Sequence, residues 1–61
     1  MKISKTKYEL AMARANKKVK DIVKAGISAS TLTDIWERDV RPVTVGRIAK
    51  ALGCDVTDII E

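Results

Sequence analysis

Residues 22–35 read IVKAGISASTLTDI, two short apolar-periodic stretches broken at a glycine, and this break constrains the chain more than any other feature. Val19, Ile22 and Val23 recur at i, i+3, i+4 within a helix predicted over Lys18–Lys24, and Gly26 stands just past its end, where a left-handed residue stops a helix. Ser28 then offers a hydroxyl to cap a further helix over Ala29–Glu37, in which Leu32, Ile35 and Trp36 repeat the same spacing. Helix, short turn and helix make a helix-turn-helix.

The flanking segments are helical as well. A helix beginning near Ser4 and running to about Ala15 places Tyr8, Ala11, Met12 and Ala15 on one face. Arg38–Pro42 is a polar loop holding the only proline, and the next helix starts either with Pro42 at its first position or with Thr44 as its cap. That helix extends to Leu52 with Val45, Ile48, Ala49 and Leu52 as a full apolar stripe, and Gly53 ends it. Asp55 and Asp58 then bracket a capping-box-like start of a fifth short helix carrying Val56, Ile59 and Ile60. With 46% hydrophobic residues, no Phe and little alternation of the kind sheets need, the 61 residues predict one all-α domain spanning 1–61. A domain this small buries about 60% of its unfolded surface, so one modest core is expected and a deep active-site cleft is not.

Several function classes are excluded on composition. The chain has no His and a single cysteine, Cys54, so it offers neither an internal disulfide nor a plausible metal-ligand set, and no cofactor is expected. No nucleophile sits beside a base and no glycine-rich phosphate loop is present, which argues against an enzyme and against a small-molecule substrate. No N-terminal apolar segment of an exported protein is present, and no run approaches the ~20 apolar residues of a membrane span, so the expected location is the cytoplasm, without membrane contact.

Charge is uneven. Residues 1–24 carry eight basic residues against Glu9 and Asp21, whereas residues 25–61 carry four against six acids, and the whole chain is +4. A basic half of this kind suits attraction to phosphates, although a solvated helix face has the same composition. The exposed side of the third helix carries Ala29, Ser30, Thr33 and Asp34, with Thr31 at its margin, short side chains that let a helix approach the base-lined floor of a groove.

The GIS turn, the STLTDI helix and the closing RIAKALGCDVTDIIE segment together resemble the Cro/C-repressor-type helix-turn-helix family, which includes the lambda-repressor-like domains of phage and bacterial regulators. The resemblance covers nearly the whole chain. It implies a compact five-helix bundle in which helices two and three form the reading unit and the others hold it. It also implies a sequence-specific regulator of transcription that binds double-stranded DNA, a small repressor or Cro-like switch protein of phage or mobile-element type. Position by position, Ala29, Ser30, Thr33 and Asp34 fall where the family reads base edges. Lys17 and Lys18 lie at the approach to helix two, whose N-terminus resembles the family's phosphate anchor, and Ser28, Thr31, Arg38 and Arg41 complete the phosphate-contacting set. The chain departs from the family pattern at Arg38, where a glycine or asparagine commonly ends the recognition helix, and at Gly46, where a bulky residue is typical.

Two alternatives stay open on the residues alone. Asp34 and Glu37 place negative charge on the helix that approaches DNA; an acid there accepts a hydrogen bond from cytosine N4, or else it marks a helical protein-interaction module, antirepressor- or antitoxin-like, that keeps the fold without specific DNA binding. Ile59 and Ile60 serve either the monomer's own core or the contact of a homodimer bound to a pseudo-palindromic site.

Overall fold

The computed structural model describes all 61 residues and contains four α-helices: α1 (Lys5–Ala15), α2 (Val19–Lys24), α3 (Ala29–Thr33) and α4 (Pro42–Leu52). Single 3-10 turns follow α3 at Ile35–Glu37 and α4 at Val56–Asp58.

Each α-helix begins and ends for local reasons. Ser4 caps α1 by accepting from the Lys7 amide at 3.3 Å, and Asn16, tolerant of the left-handed region, ends it at φ 53°. At the start of α2 the Asp21 carboxylate reaches back to accept from the Lys18 amide at 2.8 Å. Gly26, at φ 98°, turns the chain away beyond Ala25, a conformation that costs a residue with a side chain. Ser28 caps α3 through the Thr31 amide at 3.2 Å. Of the two starts open for α4, the structure takes the one with Pro42 at the first position, and Gly53 closes the helix at φ 68°.

Thirteen side chains are buried, all of them hydrophobic, in one continuous core. The α4 stripe enters it whole: Val45, Ile48, Ala49 and Leu52 are all buried. Tyr8 and Ala11 come from α1, Ile22 from α2, Ile27 from the turn, and Leu32 and Ile35 from α3 and the turn after it. Trp36, half-buried, lies 6.2 Å from the Tyr8 ring, and the Lys5 ammonium sits 5.1 Å from the indole centre, so α1 holds the segment after α3 by aromatic and cation–π contact.

Three expectations are corrected. The bundle has four helices rather than five, because the segment after Asp55 makes only one 3-10 turn before leaving it. Its backbone is claimed by the N-terminal residues: Ser4 donates to the Ile59 carbonyl at 2.8 Å, Glu61 donates to that of Lys2 at 3.0 Å, and Ile3 pairs with Ile60 in an antiparallel bridge. Ile59 is fully buried by this pairing, which assigns it to the monomer's own core. The third helix stops at Thr33 instead of Glu37, with Asp34 at φ −135°. Five residues close few i→i−4 hydrogen bonds, and the flanking Thr33 and Ile35 are β-branched, so burial of Ile35 sets the backbone path rather than helix propensity. Third, Val19 and Val23 do not follow Ile22 inward and stay 45% and 36% exposed.

Residues 1–3 are the element that sequence periodicity did not reveal. Lys2 bridges Asp39, the Val40 amide donates to the Met1 carbonyl at 2.6 Å, and Ile3 is almost completely buried. One extended segment therefore ties the C-terminus to the loop at Asp39 and Val40, after the first 3-10 turn. Ile3→Ala should cost about 2–5 kcal/mol in urea denaturation followed by helical circular dichroism, as much as Ile48→Ala in the α4 stripe. Val43→Ala, at an exposed position of α4, should change stability by no more than about 0.5 kcal/mol.

Candidate nucleic-acid interface

The turn at Ala25–Ser28 places α3 against α2, α2 packs on α4, and Ile22 and Leu32 join the α4 stripe in one core. Leu32 anchors α3 inward, so Ala29, Ser30 and Thr33 point out and stay exposed, while Thr31 is half-buried at the edge. No segment of the chain covers this ridge.

Hydroxyl groups organise its N-terminal end. The Ser28 hydroxyl, besides accepting from the Thr31 amide, lies 2.8 Å from that of Ser30 and 3.2 Å from that of Thr31. The Thr33 hydroxyl donates to the Ala29 carbonyl at 3.1 Å, so its proton is used within the helix and its lone pairs and methyl group face outward. The exposed surface is thus small and shallow, with methyl groups from Ala29 and Thr33 and a hydroxyl from Ser30.

Asp34 is not part of that ridge. It lies at the C-terminal end of α3, half-buried, with one carboxylate oxygen 3.1 Å from the Arg38 Nε and the other shielded from solvent. Asp39, also acidic and near this surface, binds the α-amino group of Met1 at 2.6 Å, and that hydrogen bond and charge hold its carboxyl below the usual range. Of Asp34, Glu37 and Asp39, only Glu37 lacks an ion-pair partner.

The cations fall into two groups. Lys17 and Lys18 are exposed ahead of α2, and Lys20 and Lys24 extend the same basic side. Here the expected anchor is partly filled, since the Lys18 amide already serves Asp21. That hydrogen bond lowers the Asp21 pKa; desolvation opposes it, and the charges of Lys17, Lys24 and Lys20 each add a smaller lowering effect. Arg38 and Arg41 lie past α3 and line a cleft of about 320 Å³ with Thr31 and Thr44.

Sequence reasoning missed Thr44 and Arg47. They stand on α4, far along the chain from the turn, yet they line a second cleft of about 140 Å³ with Gly26, Ser28 and Thr31. A threonine and an arginine on an amphipathic helix read as solvated positions until packing shows what lies opposite. No group of His, Cys, Asp and Glu side chains capable of holding a metal ion is formed, and no helix is long and apolar enough to cross a membrane.

Residues 2–61 match a family model described as the Cro/C1-type HTH DNA-binding domain. No curated protein and no solved structure matches the chain.

The cap on α2 gives an acid-side signature. Because the Asp21 pKa is lower in the folded chain than its ordinary value of 3.8, the carboxylate's contribution to stability is fully present above that value and is lost as pH falls through the lower, folded one. Denaturation midpoints compared between the wild type and Asp21→Asn should differ at neutral pH and converge on acidification. A difference that persists through acid would show that Asp21 acts other than as a charged cap.

Proposed function

The chain belongs to the Cro/C1-type HTH DNA-binding domains, and from that membership we propose a sequence-specific regulator of transcription, a small repressor or Cro-like switch protein of phage or mobile-element type, acting on double-stranded DNA. The observation that carries this reading is the uncovered ridge of Ala29, Ser30 and Thr33, held out by a buried Leu32, in a chain with exposed cations ahead of α2 and past α3.

In this reading α3 enters the major groove. Short side chains let its backbone come close to the base pairs, the methyl groups of Ala29 and Thr33 suit thymine methyls, and the Ser30 hydroxyl serves as donor or acceptor to a base edge. Lys17, Lys18, Ser28, Thr31, Arg38 and Arg41 contact the sugar-phosphate strands and set the register of the ridge. Asp34 contributes through Arg38, which it orients; direct hydrogen bonding from cytosine N4 to Asp34 requires that pair to open.

Repression then follows from occupancy, because a bound domain excludes polymerase or a competing regulator from overlapping DNA. A single domain of this size buries limited surface, so two copies on a pseudo-palindromic site about one helical turn apart supply the affinity. No catalytic group takes part.

Titration into a labelled duplex at several salt concentrations tests the reading. Neutralising Z phosphates gives a slope of about −0.9Z in log affinity against log salt, and Lys17→Glu with Lys18→Glu should weaken binding on every sequence. Ser30→Ala or Thr33→Ala should instead change preference among sequences, by about 1–3 kcal/mol at the affected base pair. Weak, salt-insensitive behaviour toward all duplexes would overturn the proposal in favour of a protein-interaction module.

A further inference from the structure

We propose that Arg47, together with the hydroxyls of Thr44, Thr31 and Ser28, forms a seat for a DNA backbone phosphate beside the N-terminal end of α3, an assignment that rests on the DNA-binding reading above.

The cleft joins three separate parts of the chain. Gly26, Ile27 and Ser28 bring the turn, Thr31 brings the edge of α3, and Thr44 and Arg47 bring successive turns of α4. Its volume of about 140 Å³ is small, and its lining is one guanidinium, three hydroxyls and a single hydrophobic residue, with no carboxylate. Such a wall favours an anion with several acceptor oxygens, and an arginine fork meets a phosphate through paired N–H donors.

The donors are available. Ion pairs within the chain occupy Arg38 and the Met1 amino group, leaving Arg47 exposed and without a carboxylate partner. The hydroxyls of Ser28, Ser30 and Thr31 share two hydrogen bonds, which take up two of their three protons and leave one for a ligand, and the Thr44 hydroxyl is engaged in no hydrogen bond within the chain. Thr44 and Thr31 also line the neighbouring cleft of Arg38 and Arg41, whose one carboxylate, Asp39, is engaged by the Met1 amino group, so the two clefts adjoin along one side of α3.

That position decides the ligand class. A group lying beside the N-terminal end of a groove-reading helix, in a cleft that includes neither Ala29 nor Ser30, faces the strand that borders the groove rather than its floor. Arg47 therefore fixes how deep and at what angle α3 sits, without naming a base.

Salt-dependent duplex titration of Arg47→Gln, Arg47→Lys and Lys50→Gln tests this. Arg47→Gln should reduce the magnitude of the salt slope by about 0.9, so that the wild-type advantage shrinks by about eightfold for each tenfold rise in salt, equally on preferred and random duplexes. Arg47→Lys should keep the slope, and Lys50→Gln, one turn on and outside this cleft, should leave it closer to wild type. Unchanged denaturation midpoints confirm that the fold is intact.

An Arg47→Gln slope equal to the wild type's, or one matched by Lys50→Gln, overturns the seat while leaving the DNA-binding reading in place. Loss confined to duplexes carrying one particular base pair overturns it too, because Arg47 would then read a base. Absence of any salt-dependent duplex binding by the wild type removes both readings together.

Discussion

Packing against the apolar stripe of α4 is the interaction on which everything else depends. Helices of six and five residues, such as α2 and α3, are far too short to persist in water by their own hydrogen bonds. They exist because Ile22, Leu32 and Ile35 are buried with Val45, Ile48 and Leu52, and each fully buried side chain of that size contributes about 1.5–3 kcal/mol. The ridge of Ala29, Ser30 and Thr33, the proposed reading surface, is thus backed directly by the core through Leu32. A surface meant to fit a groove gains from this, since little ordering remains to be done when it binds.

The same economy shapes the ends of the chain. Instead of a fifth helix, the C-terminal residues give their carbonyl and amide groups to residues 2–4, and the N-terminal segment extends that pairing to the loop at Asp39 and Val40. In a domain with thirteen buried residues, the burial of Ile3 and Ile59 by this pairing adds two large side chains to the core. It also holds the Arg38–Arg41 loop in place beside α3, so that a structural tie at one end of the chain positions cations at the proposed interface.

Charge is managed locally as well as by the overall +4. Asp21 serves an amide at the start of α2, Asp34 engages Arg38, and Asp39 engages the Met1 amino group. Counting acids along the sequence exaggerates their opposition to a phosphate surface, because two of the three nearest to it are already neutralised by cations of the same chain. The free guanidinium groups of Arg41 and Arg47 remain on the side of α3 where the two hydroxyl-lined clefts meet.

Local signals in the sequence determined the all-α class, the ends of α1, the C-terminal end of α4, the caps at Ser4 and Ser28, the stopping roles of Gly26 and Gly53, and the outward side of Ala29, Ser30 and Thr33. Each of these rests on a residue's own backbone preference or on 3.6-residue periodicity, which short windows carry in full. Tertiary structure decided the rest: the early end of α3, the exposure of Val19 and Val23, the replacement of a fifth helix by pairing with Lys2 and Ile3, the turning of Asp34 toward Arg38, and the meeting of Arg47 with Ser28. Those outcomes depend on which distant groups compete for the same backbone amides and the same buried volume, and that competition has no period along the chain.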